Sequence, residues 1–95
     1  MYLNDNDVAT FEEAMLDIRL PVEAKAIYAY FWANFKTNES FILPPLESIC
    51  SSLKMSVQRF QKYKKFLVLN NYLKIEQKKE KGRFIKALYT LIRRC

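Results

Sequence analysis

The sequence predicts an α+β domain in which helices come first and a β-hairpin comes last. Apolar residues recur at helical spacing along much of the first two thirds of the 95 residues. Two strand-like segments follow, on either side of the one glycine of the chain, Gly82. The length fits a single small domain, because a second core would need roughly 50 further residues.

A first helix is predicted over residues 21–36. Pro21 suits the first turn of a helix. The apolar stripe that follows, at offsets of 0, 3, 4, 7 and 11, consists of Ala24, Ile27, Tyr28, Phe31 and Phe35. Tyr30 and Trp32 fall off this stripe. These two rings therefore either pack against another element or form a possible partner interface.

Two shorter helices are predicted next. Residues 41–43 form a brief extended run before two prolines, because a residue that precedes proline avoids the helical region. A second helix then covers residues 45–53, and a turn of three residues, Lys54-Met55-Ser56, follows it. Ser56 is a good N-cap for a third helix that ends near Leu69.

The last third of the chain predicts a hairpin. Asn70-Asn71 stops the third helix, because Asn tolerates the left-handed conformation. Residues 72–77 alternate as a half-buried strand would, and KKEKGR (residues 78–83) forms a charged turn. A second strand begins at Phe84, and its C-terminal end is either strand or helix.

The first fourteen residues are acidic and weakly patterned, with Thr10 as a possible helix start. We therefore divide the chain into an N-terminal extension (1–14) and a domain (15–95). The segment around Phe11, Met15 and Leu16 either covers the core of its own chain or forms a contact between two copies. Monomer and dimer both stay open.

Composition excludes most enzyme classes. The chain has no histidine, which removes histidine acid–base catalysis and His-ligated zinc, and its one glycine leaves no glycine-rich phosphate loop. We expect no enzymatic activity, no metal and no cofactor. No apolar run approaches the roughly 18 residues needed to span a bilayer, and no signal peptide is recognisable. With Cys50 as a small core residue, the chain is expected to be reduced and cytoplasmic.

Charge is divided between the two halves of the chain. Residues 1–50 hold eight acids and three bases, and residues 51–95 hold two acids and thirteen bases. The basic half favours a polyanion partner, although a solvated lysine-rich face has the same composition. A membrane surface is a poor candidate for this partner, because the sequence has no long helix with a basic face opposite an apolar face.

The order of helix, extended piece, helix, tight turn, basic helix and hairpin predicts a winged helix-turn-helix with a three-helix core. In this architecture the third helix enters the major groove and a basic hairpin lies against the backbone. The DNA-binding candidates on the recognition helix are Ser56, Gln58, Arg59, Gln61, Lys62 and Lys65. Those on the wing are Lys78, Lys79, Lys81 and Arg83.

Residues 15–91 also resemble a known family, the winged-helix domains of phage replisome organisers and plasmid replication initiators of Gram-positive bacteria. The resemblance lies in LPVEAKAIYAYF, LPPLESICSSLKMS and GRFIKALYTL. It implies a DNA-binding role in replication initiation or transcription regulation. The alternative is a winged helix that binds a host or replisome protein, such as a phage-encoded inhibitor of a host CRISPR nuclease or similar enzyme.

Overall fold

A computed structural model describes the backbone of residues 5–92 and the side chains of residues 10–83 and 86–92. These residues form four helices and one two-stranded antiparallel sheet, which confirms the α+β class. The helices are α1 (Asp5–Leu16), α2 (Val22–Phe35), α3 (Leu46–Leu53) and α4 (Val57–Leu69). The strands are β1 (Leu73–Glu80) and β2 (Arg83–Leu91). None of the helices in residues 5–92 is long and apolar enough to cross a membrane.

Helix α2 forms the centre of the core. Its predicted stripe is confirmed, because Ala24, Ile27, Tyr28 and Phe31 are all fully buried. Phe31 contacts rings from three other parts of the fold: the segment before α3, helix α4 and strand β2. Burying one such ring stabilises a fold by about 2–3 kcal/mol relative to leaving it exposed. Helix α2 is therefore the element against which the others pack.

Helix α1 differs from the prediction. It begins at Asp5 rather than at Thr10, and it runs through residue 14, so the proposed boundary of the extension falls inside it. Thr10 and Ala14, one helical turn apart, are buried. The ring of Phe11 lies 6.1 Å from that of Tyr28. The sequence places the start of this helix too late, because residues 1–14 are acidic and the buried Thr10 and Ala14 contribute little hydrophobic signal.

The α3–α4 region follows the prediction closely. Helix α3 begins after Pro45, and Lys54 caps its C-terminus in the left-handed region with φ 57°. The Ser56 hydroxyl accepts a hydrogen bond from the Arg59 backbone N–H at 3.2 Å, which confirms the predicted N-cap of α4. At the other end, Asn71 has φ 64°, as the predicted helix stop requires.

The hairpin is longer and its turn tighter than predicted. The turn is only two residues, Lys81 and Gly82, both with positive φ (52° and 78°). This backbone matches the twist of the strands, so pairing continues up to Glu80 and Arg83. Lys78 and Lys79 therefore lie on β1 and not in the turn, and β2 remains strand to Leu91 with no helical end.

Phe41 connects the hairpin to the helices. Its backbone N–H and C=O each bond to Tyr89 of β2 at 2.8 Å, which makes an isolated antiparallel bridge. Its ring stacks on Phe35 with the centroids 4.1 Å apart and also contacts Tyr89 at 5.9 Å. The predicted extended run thus supplies one residue of a third strand.

Asp17 joins the turn after α1 to the start of the hairpin. Its carboxylate accepts hydrogen bonds from the Tyr72 hydroxyl at 2.8 Å and from the Arg19 guanidinium at 2.6 Å. The Asp17 side chain is only 8% exposed. The hydrogen bonds from the Arg19 side chain, supported by those from its backbone and from Tyr72, hold the pKa of Asp17 well below its ordinary value of 3.8.

We expect Asp17→Asn to lower the melting temperature at pH 7 by roughly 5 °C, because the charge-assisted bonds are lost. The pKa of Asp17 is lower in the folded than in the unfolded chain. Its stabilising effect is therefore present above pH 3.8 and is lost as pH falls below it. Thermal melts from pH 7 to pH 2 should show the difference in melting temperature between the two proteins narrowing below pH 3.8, whereas the exposed control Glu12→Gln should match wild type throughout. A gap of the same size at pH 2 as at pH 7 would contradict this role.

Candidate nucleic-acid interface

Helix α4 directs one polar face to solvent. Gln58, Lys62, Lys65 and Leu69 follow one another at spacings of four, three and four residues, which places them on the same side of the helix. All four are exposed, whereas Phe60 and Leu67 on the opposite side are buried. We call these four residues the outward face of α4. Three of the six predicted recognition-helix residues lie on it.

Arg59 lies on the flank of α4 that faces α2. Its guanidinium forms an ion pair with Glu23 at 3.1 Å, and the arginine side chain is still 57% exposed. The pKa of Glu23 is lowered, first by a hydrogen bond from its own backbone N–H and then by bonds from the side chains of Tyr63 and Arg59. Arg59 is therefore accessible, but an anionic ligand has to compete with a carboxylate for it.

The other two predicted residues of α4 have different surroundings. Ser56 is exposed, and its hydroxyl oxygen accepts the capping bond from Arg59. Gln61 is half-buried and faces the hairpin, where it lines a groove with Ala87 and Tyr89. The structure thus brings Gln58, Lys62 and Lys65 together and separates Ser56 and Gln61 from them.

Lys64 has a fixed position that the sequence pattern did not reveal. Its ammonium group donates to the Tyr89 hydroxyl at 3.0 Å and lies 5.2 Å from the centre of the same ring. It also lies 5.6 Å from the centre of the Phe60 ring. These contacts hold β2 against α4, so Lys64 is a structural cation rather than a ligand-facing one.

The hairpin carries two kinds of cation. Lys78 and Lys74 both pair with Glu76, at 3.5 and 2.8 Å, and their charges are partly neutralised. Lys79, Lys81 and Arg83 are exposed, and no described carboxylate lies within ion-pairing distance of them. They surround the two-residue turn. Three of the four predicted hairpin residues are therefore available to a ligand, and Lys78 is partly engaged.

Lys86 is an exposed cation that the site prediction omitted. It lies directly opposite Lys78 in the ladder, where two like charges on one face of a sheet repel each other. Glu76 offsets this repulsion through its pair with Lys78. Cross-strand pairing identifies Lys86, and the sequence alone does not show the register.

The two off-stripe aromatic residues of α2 pack within the fold. Trp32 is 5% exposed, and its ring contacts Phe11 of α1 and Tyr28 at 5.8 Å each. Tyr30 is half-buried against the core, with its ring 6.1 Å from that of Phe31. Trp32 is thus unavailable to a partner, because Phe11 of α1 covers it, which is the first of the two predicted alternatives.

An open groove lies beside the start of α4. It has a volume of about 640 Å³ and is bordered by Glu47, Cys50, Ser51, Lys54, Met55, Ser56, Val57 and Arg59. Lys54, in the turn before α4, adds an exposed cation at its border. The described residues contain no group of three His, Cys, Asp or Glu side chains that could hold a metal ion. The exposed cations and polar side chains of this region can bind anions and hydrogen-bonding groups.

Comparisons with protein-family models, with curated proteins and with solved structures give no match to this chain. The candidate interface therefore rests on the geometry of α4 and the hairpin.

The left-handed backbone of Lys54 generates a stability prediction. A non-glycine residue with φ near 57° costs roughly 1 kcal/mol, so Lys54→Gly should stabilise the fold by about that amount. The matched control is Lys65→Gly, an exposed site inside α4, which should destabilise by about 1 kcal/mol. Chemical denaturation measures both. A loss of stability in Lys54→Gly would show that the lysine side chain has a structural role at this turn.

Proposed function

We propose that this chain is a winged helix-turn-helix domain that binds double-stranded DNA in the cytoplasm, as a phage- or plasmid-type factor in replication initiation or transcription regulation. The proposal depends on two exposed elements. The first is the outward face of α4, with Gln58, Lys62 and Lys65. The second is the hairpin turn, with Lys79, Lys81 and Arg83. Both present exposed hydrogen-bonding or cationic groups.

The arrangement of elements supports the winged-helix interpretation. A helix, a single bridged residue, a short helix, a tight turn, a basic helix and a hairpin follow in the order that this architecture requires. Helix α4 starts after a capped turn, and its polar face is unobstructed by described residues. An exposed helix of this width fits the major groove, and amide and ammonium groups suit base edges and phosphates.

The surface suits a duplex better than a single strand. Proteins that hold single-stranded nucleic acid stack successive bases on exposed aromatic rings. Among the described side chains, every aromatic ring is buried or half-buried. The outward face of α4 presents Gln58, Lys62 and Lys65 beside the apolar Leu69, and amide and ammonium groups contact the groove edges and the backbone of a duplex. The basic half of the chain thus has the chemistry of duplex binding without the stacking platform.

A protein partner is the second candidate, and one observation favours it. Leu16, Ile18 and Val22 around the α1–α2 turn are 79%, 96% and 79% exposed. Such a group of apolar side chains in the acidic half is typical of a protein contact. A pull-down from host lysate after nuclease digestion separates the candidates. A specific protein retained without nucleic acid, together with no duplex binding by the pure chain, would favour this alternative.

Duplex binding by the pure chain tests the main proposal. If about six cations contact phosphates, the log–log dependence of affinity on salt should have a slope of roughly −5. We expect Lys62→Ala to weaken binding severalfold and to reduce the slope by about one. Arg59→Ala should weaken it less, because Arg59 is already paired with Glu23.

Fluorescence anisotropy with a labelled duplex measures these affinities. Lys36→Ala, at the C-terminal end of α2 and outside the basic elements, serves as the control and should bind as wild type does. Unchanged affinity in both Arg59→Ala and Lys62→Ala would contradict the proposal.

Breaking the Glu23–Arg59 pair is expected to strengthen duplex binding, in contrast to the two substitutions above. Glu23→Gln releases the guanidinium and removes a negative charge beside α4, so duplex affinity should rise by roughly threefold at low salt. The same substitution in an Arg59→Ala background should give a smaller gain, since no arginine is left to release. Anisotropy titrations of the four proteins form a double-mutant cycle. Weaker binding by Glu23→Gln would mean that the pair positions Arg59 rather than competing for it.

A further inference from the structure

Strand β2 has a second edge, away from β1, that is paired at only one described position. Tyr89 directs both its backbone N–H and its C=O to Phe41 on this edge. Along an antiparallel strand, residues two apart point their backbone groups to the same side. The N–H and C=O of Ala87 therefore also face this edge. No backbone bond from Ala87 to the described residues on this side is present.

The chain beyond Phe41 does not complete the pairing: Leu43, which the antiparallel register would set opposite Ala87, makes no backbone hydrogen bond to it. The chain continues through Leu43 into Pro44 and Pro45, which have no N–H to donate, and it then enters α3. Between this segment and the strand lies a groove of about 440 Å³, which we call the edge groove. It is lined mainly by apolar side chains: Ile42, Leu43, Pro44, Pro45, Leu46, Gln61, Ala87 and Tyr89. The unpaired backbone edge of β2 thus lies beside the apolar edge groove.

Charge decides which occupant this edge accepts. Strand β2 carries Arg83 and Lys86 and no acidic residue, and Lys86 already faces Lys78 across the ladder. A second copy paired edge to edge at Ala87 would bring its own Lys86 close to the first, so like charges oppose such a dimer. An acidic strand relieves this repulsion instead.

We propose that the edge of β2 at Ala87 accepts a short extended segment of a partner protein in which apolar and acidic side chains alternate. The segment pairs with the backbone of Ala87. Its apolar side chains enter the edge groove on the Ala87 and Tyr89 face, and its acidic side chains lie on the opposite face beside Lys86. This site is separate from the outward face of α4, so the test of peptide binding does not depend on whether the chain binds DNA.

The test uses two nine-residue peptides as probes, one of alternating valine and glutamate and one of alternating valine and lysine. Binding to the full chain is measured by fluorescence anisotropy, and the exchange of the Ala87 amide is measured by NMR. We expect saturable binding of the glutamate peptide, with the exchange of the Ala87 amide slowed at least about tenfold, and no binding of the lysine peptide.

Two variants locate the peptide. Ala87→Pro removes the backbone N–H on the second edge of β2 without removing a bond to β1. It should lower the affinity for the glutamate peptide by about tenfold or more. The Lys86→Glu variant should bind the lysine peptide in place of the glutamate peptide. This second variant keeps the test valid if Ala87→Pro fails to fold. The proposal is overturned if the glutamate peptide does not bind, if bound peptide leaves Ala87 exchange unchanged, or if Lys86→Glu shows no change in peptide preference.

Discussion

Phe41 attaches the hairpin to the helices through both its backbone and its ring. A two-stranded hairpin is marginal in water by itself, so β1 and β2 depend on what they pack against. The two 2.8 Å bonds between Phe41 and Tyr89 fix the position of β2, and the Phe41 ring, stacked on Phe35 and beside Phe31, carries that position into α2. Because α4 packs on the same helix and also contacts the hairpin through Lys64 and Tyr89, this aromatic group helps to fix the position of the hairpin relative to the outward face of α4. Any ligand that contacts both elements relies on it.

Local signals in the sequence predicted most of the fold. The apolar stripe of α2, the Ser56 cap and the stop at Asn71 each depend on a few neighbouring residues, and all three are confirmed. Helix α1 was started too late, because its buried residues Thr10 and Ala14 have small side chains that give little hydrophobic signal. The hairpin turn was predicted too long because five of the six residues 78–83 are charged, and charge does not reveal where cross-strand pairing ends.

The candidate site was harder to predict, because its residues are arranged by contacts between distant parts of the chain. Helical spacing alone separates Gln58, Lys62 and Lys65 from the buried face, so that part was accessible. The pairing of Arg59 with Glu23 spans 36 residues, and that of Lys64 with Tyr89 spans 25. The first gives an exposed arginine a competing carboxylate, and the second holds a lysine against β2. The basic half is thus less uniformly available than its composition suggests, and the acidic half supplies the carboxylate that engages Arg59.

The left-handed backbone of Lys54 and Lys81 has an evolutionary consequence. Glycine or asparagine suits such positions better, and glycine is almost absent from this chain. Selection for stability alone would replace both lysines, one in the turn before α4 and one in the turn of the hairpin. A lineage under selection to hold a polyanion would keep them, at the expense of a less stable fold. Related chains that hold no polyanion should therefore carry glycine or asparagine at these two turns.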